Sequence, residues 1–326
     1  MKRRFIAVLA AASVLGLSAC GSGSPSSTGG GTATGGGDSG LTKVSVGVIP
    51  IVDCAPIYLG DKQGFFKDEG LQLDIQTATG GAAIVPGVVS GSFDFAFSNL
   101  ISVMVAKDKG LDLKFVANGA STTGEIGKDI GGVVVPAGSS IQSAKDLAGK
   151  TVSVNNLSNI GDTTIKSVIE KDGGDPNSVK FVEVAFPDAP AALANKQVEA
   201  AWILEPFLSK AVAEGGTVVS WNFVEMHPEL DIAGYFTKAE TIQGKAELTQ
   251  KFTRAMNKSL EYAQQHPEEV RDIVGTYTKI DEAARAAITL PRYRVEFNKD
   301  AFKTLGDAAA KYGTLTKAPN ADELLP

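Results

Sequence analysis

The sequence predicts an α/β protein: two units in series, each a mostly parallel sheet flanked by helices, followed by a helical tail. Three observations predict it. Short β-rich runs alternate with helix-forming runs at the spacing of strand–helix–strand units. The alternation restarts at Gly132-Val133-Val134-Val135-Pro136. No low-complexity linker separates the halves, so the two units are expected to share crossing strands as a hinge. Lys43 to Ile49 opens the fold as a strand, and Ala55 to Gln63 follows as a helix with Asp53 as its cap. Leu71 to Ile75 alternates as a strand. Ala83 to Ser90 is helical despite Pro86, Phe93 to Phe97 is a strand, Leu100 to Lys109 a helix and Leu113 to Val116 a strand. In the second unit Thr151 to Val154, Val179 to Val184 and Ala200 to Ile203 are strands. Asp162 to Lys171, Ala189 to Asn195 and Phe207 to Glu214 are helices, and Thr217 to Ser220 is extended. The tail holds helices over Leu248–His266, Pro267–Thr276, Glu282–Ile288 and Lys299–Tyr312.

The N-terminus is an address. Lys2, Arg3 and Arg4 precede an apolar run from Phe5 to Leu17, too short to span a bilayer as a stable helix. The run ends in Leu17-Ser18-Ala19-Cys20, which resembles the lipobox of bacterial lipoproteins. That resemblance implies cleavage after residue 19, a lipid on Cys20, and a place on the extracytoplasmic face of the cell membrane. Removing residues 1–19 takes the net charge from −6 to −9. Residues 20–40 then form a tether: Gly21 to Gly40 holds nine Gly, five Ser and three Thr, a coil spanning roughly 25 Å.

Composition excludes several classes. Thirty-one Lys+Arg against 37 Asp+Glu make a poor footprint for nucleic acid. Two Cys and two His exclude a disulfide-dense scaffold and leave few ligands for a transition metal, so no cofactor and no metal are expected. Cys54, the only thiol left after lipidation, is expected to be a small buried apolar residue. His227 and His266 each precede Pro and are expected at the surface.

Five segments carry a wider resemblance: Pro56-Ile57-Tyr58-Leu59 with Gly64 to Leu71; Gly91 to Ala96; Asp146 to Val152; Ala191-Ala192-Leu193 with Val198 to Ala201 and Glu205-Pro206; and Lys311-Tyr312-Gly313. Their order and spacing resemble the solute-binding proteins of bacterial ABC importers, of the nitrate/sulfonate/taurine and thiamine-precursor type. The resemblance implies a two-lobed periplasmic-binding-protein-like fold of type II. Lobe 1 would be 41–125 with 232–326, lobe 2 would be 126–231, and the crossings would lie near Gly124–Gly131 and Pro228–Tyr235. It also implies a monomer, a small-molecule ligand, an ABC permease as partner, and no catalysis.

In such sheets a ligand lies beyond the carboxyl ends of the strands, where helices begin. Position therefore nominates Asp53, Pro56 and Tyr58; Ser98 and Asn99; Ser121 and Thr122; Asn156, Ser158 and Asn159 within the run Asn155–Asn159; Glu205; and Tyr235. Tyr58 and Tyr235 are candidates for an aromatic wall, whereas Trp202 sits in a buried strand and is expected to pack in the core. These loops hold Asp53, Glu125 and Glu205 but no Arg, and the only nearby Lys is Lys128. A bidentate Arg is the usual clamp for a free sulfonate or carboxylate. The set therefore favours a neutral, zwitterionic or cationic organic ligand, heterocyclic (pyrimidine-like) rather than a simple anion, with a sulfonate or taurine-like cargo as the other reading. Two further functions compete: a ligand-sensing subunit for a membrane receptor, and a membrane-anchored enzyme, since a related fold carries pyrimidine-synthesis chemistry. The chain has no G-x-S-x-G, H-E-x-x-H or Walker A motif, which weighs against the enzyme.

Overall fold

The computed structural model describes residues 40–326, which form one compact unit. The leader, Cys20 and the tether up to residue 39 lie outside the described residues. Ten strands carry the fold: β1 (Thr42–Val48), β2 (Leu71–Thr77), β3 (Phe95–Asn99), β4 (Leu113–Ser121), β5 (Gly131–Val135), β6 (Thr151–Val154), β7 (Lys180–Glu183), β8 (Ala200–Leu204), β9 (Thr217–Ser220) and β10 (Asp231–Lys238). They form two five-stranded sheets, in the orders β2-β1-β3-β10-β4 and β7-β6-β8-β5-β9.

The two sheets share one plan. In each, three strands run parallel and the fourth in the order is antiparallel to both of its neighbours. That antiparallel strand is the one that follows a crossing: β5 starts ten residues after Ser121 ends β4, and β10 starts eleven after Ser220 ends β9. Each sheet is thus parallel but for one reversed strand, and this is the two-lobed fold of type II. The strands of the first sheet come from 42–121 and 231–238, and those of the second from 131–220.

Local sequence accounts for the layers. Val44, Val46 and Val48 alternate into the core from β1, and Val46 pairs with Ile75 on one side and Phe95 on the other. The helix Ala246–Gln265 buries Phe252, Ala255, Met256, Ser259 and Leu260, a stripe at i, i+3, i+4 spacing. Phe252 stacks on Phe95 at 4.0 Å. The same stripe meets the helix Ala55–Lys62 at Gly60, where a Cβ would stand 1.8 Å from Ser259 Oγ, so only glycine permits this approach.

The strand ends differ from expectation in three places. β3 runs two residues further, so Ser98 and Asn99 are strand residues. β4 continues through Asn118 to Ser121, which were expected in a loop. Residues 231–235, expected as a crossing, are the start of β10. All three stretches carry polar side chains inside the sheet: Asn99, Asn118, Ser121 and Asp231 meet hydrogen-bond partners there, whereas Ser98 Oγ and the Tyr235 hydroxyl have none.

Those partners form the hinge. Asp129, buried on the first crossing, accepts hydrogen bonds from Thr122 Oγ1 (2.6 Å), Thr123 N (3.0 Å), Ile130 N (2.9 Å) and Val224 N (3.1 Å). Asp231, buried at the head of β10, accepts from Ser121 Oγ (2.6 Å), Arg294 Nη2 (2.8 Å), Asn118 Nδ2 (3.3 Å) and Asn298 N (2.5 Å). Thr122 N donates to Leu230 O at 2.9 Å and ties one crossing to the other. Each crossing is thus pinned by one carboxylate with four donors.

Candidate functional site

The carboxyl ends of β1, β3, β6 and β8, with the loop after β7, converge on a deep chamber between the two sheets. Ile49, Ile51, Asp53, Phe97, Asn99, Ile232 and Ala233 line it from the first, and Asn155, Ile160, Phe186, Trp202, Leu204 and Phe223 from the second. Its free space is about 20 Å³, room for about one water molecule. The sides are drawn together around it. Val52 N donates to Glu205 O (3.2 Å), Asn159 Nδ2 to Ser102 Oγ (3.1 Å), and Ala82 N to Asn156 Oδ1 (3.5 Å).

Asp53 is the only ionisable side chain of this lining. It sits on a single 3₁₀ turn, Val52–Cys54, and does not cap the helix Ala55–Lys62: that helix has no side-chain cap. Asp53 is 1% exposed and neither carboxylate oxygen has a hydrogen-bond partner. Burial pushes its pKa up to about 7; its own amide dipole opposes this, and the nearby charge of Asp129 adds to it. Two tyrosines of the tail hold the turn in place: Tyr277 OH donates to Ile51 O (3.0 Å) and Tyr293 OH to Val52 O (2.9 Å).

Aromatic rings form the walls. Trp202 meets Phe186 edge-on at 5.3 Å and Phe223 at 5.6 Å, and its indole N–H has no partner. Trp202 is therefore a lining residue and not merely core, although it is only 1% exposed. Tyr235 lies behind Phe97 (5.2 Å) with its hydroxyl buried and unpartnered. Orphaned polar atoms are costly in an apolar surround, about 1–3 kcal/mol each, and those beside a cleft are natural contacts for a ligand.

The other expected residues divide. Asn99 lines the chamber and also caps the helix Leu100–Asp108 by accepting from Ser102 N (3.0 Å). Ser98 Oγ is buried and unpartnered on the far side of the strand, against Gly81 and Ser102. Asn156 and Asn159 make the cross-lobe contacts above, and Asn159 caps the helix Ile160–Lys171 in a capping box with Asp162. Ser158, at φ 50°, donates its N–H to Asp162 Oδ2 (2.7 Å). Ser121 and Thr122 are spent on the hinge carboxylates. Pro56 is buried in the first turn of its helix, and Tyr58 stacks on Tyr277 at 4.1 Å; neither lines the chamber. Glu205 is consumed by Ser209 Oγ (2.6 Å), Ser209 N (3.0 Å) and Thr289 N (3.1 Å), while burial raises its pKa against them. Cys54 is a buried free thiol. His227 and His266 are half-buried rather than at the open surface: His227 faces Asp300 at 3.4 Å and His266 stacks on Tyr262 at 3.8 Å. Sequence reasoning missed Phe97, Phe186 and Phe223. Phe97 and Phe186 had a signal, since Phe97 ends an expected strand and Phe186 follows the end of β7.

Among the described residues no group of three or more His, Cys, Asp or Glu is placed to hold a metal ion. No described helix is long and apolar enough to cross a membrane.

Two sheets of this order around a cleft lined from both define a periplasmic-binding-protein fold of type II. The family profile "NMT1/THI5 like" matches residues 51–270, and the chain belongs to that family. It is 24% identical over 232 residues to a formylaminopyrimidine-binding protein of Halalkalibacterium halodurans, across 70% of this chain and 67% of that one. In structure it resembles the ligand-binding component of an ABC-type import system from Staphylococcus aureus (TM-score 0.75, 15% identity, 88% and 97% of the two chains covered). It also resembles the alkanesulfonate-binding protein SsuA from Xanthomonas axonopodis pv. citri bound to MOPS (TM-score 0.72, 16% identity, 87% and 98% covered).

Proposed function

We propose that the chain is the extracytoplasmic solute-binding receptor of an ABC importer, that it captures a flat nitrogen heterocycle, neutral or cationic, and that it performs no catalysis. One observation carries the ligand class: Asp53, buried with both oxygens unpartnered, is the sole ionisable group in a chamber walled by Phe97, Phe186, Trp202 and Phe223. An aminopyrimidine offers what these groups lack. Its amino N–H and a protonated ring nitrogen donate side by side to one carboxylate, its other ring nitrogen accepts from an N–H such as that of Trp202, and its faces stack on the rings. A sulfonate or nitrate would find no Arg or Lys in the lining to neutralise its charge. The kinship with a formylaminopyrimidine-binding protein supports the same class.

Ligand binding closes the lobes about the crossings pinned by Asp129 and Asp231, and the closed form engages the permease. The lipobox ending in Cys20 and the Gly-rich tether keep the body beside its permease, on the outer face of the cell membrane. We place the lobe boundaries at 41–125 with 232–326, and at 126–231. The test is thermal unfolding of the body from Leu41 with 4-amino-2-methylpyrimidine, taurine, ethanesulfonate and nitrate. Ligand at a thousand times its dissociation constant adds about 4 kcal/mol and raises the midpoint by about 10 °C. A shift with the pyrimidine, lost in Asp53→Asn, supports the reading; a shift with the anions alone sinks it.

A further inference from the structure

The cleft gives the segment Lys311-Tyr312-Gly313 no task. It closes the helix Lys299–Lys311, which packs against Leu100–Asp108 beside the first sheet and against Ile160–Lys171 beside the second. Lys311 Nζ and Tyr312 OH both donate to Glu170 Oε2, at 2.5 and 2.7 Å. Gly313 then turns the chain in the left-handed region, at φ 79°. The residues that follow join the same two helices. Thr314 Oγ1 shares a hydrogen bond with Thr163 Oγ1 (3.1 Å), and Thr316 N donates to Asp108 Oδ2 (3.1 Å). Further on, the helix Ala321–Leu324 packs on β4. Glu205 and Thr289 make another contact between the lobes, but Glu205 N donates to Ile130 O on the first crossing (2.9 Å), so that contact sits at the pivot. The Glu170 side chain has only Lys311 and Tyr312 as hydrogen-bond partners among the described residues, and neither is on a crossing.

We propose that Lys311–Thr316 is a clasp across the two lobes that weights the balance between their open and closed arrangements. Asp108 holds it to the first lobe, Glu170 and Thr163 receive it on the second, and opening releases the second set alone. Hinge motion displaces the helix Ile160–Lys171 from Leu100–Asp108, and a contact away from the pivot breaks when the lobes part. The Lys311 and Glu170 side chains are 58% and 43% exposed. Bonds so close to water are weak enough to break at each opening, yet together they shift a two-state balance severalfold. The inference needs the two-lobed fold and does not rest on the ligand class.

Spin labels on Ser92→Cys and Asn195→Cys, both exposed and one on each lobe, test this by double electron–electron resonance without added ligand. Cys54 is buried and stays unlabelled. Glu170→Ala removes the acceptor of both Lys311 and Tyr312, and is expected to raise the open-to-closed ratio about fivefold. Lys311→Met should raise it about threefold. The exchanged pair, Glu170→Lys with Lys311→Glu, should bring it back to within about twofold of the unaltered protein. Lys303→Met removes an exposed ion pair inside the same helix, Lys303–Asp307, and should leave the distribution unchanged. An unchanged ratio in Glu170→Ala overturns the clasp and puts this contact on the pivot axis. A rise in Lys303→Met equal to that in Lys311→Met overturns it as well, because the effect is then a general loosening of the helix. Neither result touches the heterocycle reading, since no ligand is present in the measurement.

Discussion

The hinge and the cleft each bury aspartates, and they treat them in opposite ways. Asp129 and Asp231 receive four hydrogen bonds apiece, from side chains and backbone of the segments they join. Asp53, equally buried, receives none. A buried carboxylate with a full set of donors is a structural device, since its charge is dispersed and its neighbours' N–H groups are satisfied at the same time. A buried carboxylate with no partner is a debt in the empty protein and a directed attraction for whatever arrives. The number of partners, rather than burial or charge, separates the residues that hold the lobes together from the one that waits between them.

The largest way to test this contrast is at the hinge. Asp129→Ala strips the acceptor from Thr122, Thr123, Ile130 and Val224 together and leaves several donors buried and unpaired. The expected loss is about 4 kcal/mol of stability, on the scale of other broken buried charge networks, read from urea unfolding of the body. A loss under about 1 kcal/mol would mean that the crossings hold without this carboxylate, and the comparison would fail on that side.

At the cleft the sign reverses. The Asp53 carboxyl is raised from its ordinary 3.8 to about 7 in the folded body. Below pH 4 it is protonated folded and unfolded, and it costs nothing through ionisation. As the pH rises to 7 the unfolded chain gives up the proton and the folded one holds it, so stability falls across that window. Three units correspond to about 4 kcal/mol, an upper limit because opening the lobes would let water reach the group. Asp53→Asn removes this dependence. The variant should be more stable than the unaltered protein at pH 8, equally stable near pH 4, and weaker for the pyrimidine. Unfolding midpoints measured from pH 4 to pH 8 check this. Parallel curves for the two proteins would place an ionised, solvated Asp53 in the empty body.

The fold was legible because alternation of strand and helix is a local signal: most strands and long helices from Thr42 to Lys311 lie within a few residues of their expected places, although the short helices Asn222–Met226 and Ala239–Gly244 were not foreseen. The strand ends were not, because Ser98, Asn99, Asn118 and Ser121 have the composition of a loop; Asn118 and Ser121 find their acceptor in the distant Asp231, which no local pattern shows. The site was half legible. The rule that ligands lie at strand ends led to Asp53 and Asn99, but one-dimensional pattern cannot tell a cap from a free carboxylate. Trp202, within the apolar run Ala200–Leu204, carries the same signal whether it faces core or cleft. Glu205 and Ser121 were both nominated, yet Glu205 is held by Ser209 and by Thr289, 84 residues away, and Ser121 by Asp231, 110 residues away.

Two hydroxyls give the finest version of the contrast. From sequence, Ser121 and Tyr235 were both nominated as ligand contacts. Ser121 Oγ donates to Asp231 at 2.6 Å, whereas the Tyr235 hydroxyl is buried beside Phe97 with no partner. Deleting each oxygen alone changes little volume, so packing stays nearly constant. Ser121→Ala should cost about 1.5 kcal/mol, because a donor to a charged acceptor is lost. Tyr235→Phe should instead stabilise the empty body by about 1 kcal/mol, because a desolvated, unpaired hydroxyl is removed. If that hydroxyl takes part in holding the ligand, the same substitution weakens the pyrimidine severalfold, while Ser121→Ala leaves the affinity within about twofold. Opposite signs in stability with the affinity loss confined to Tyr235 would keep hinge and cleft apart as two uses of buried polarity. Equal signs would mean that Tyr235 has a partner in solution and belongs with the scaffold.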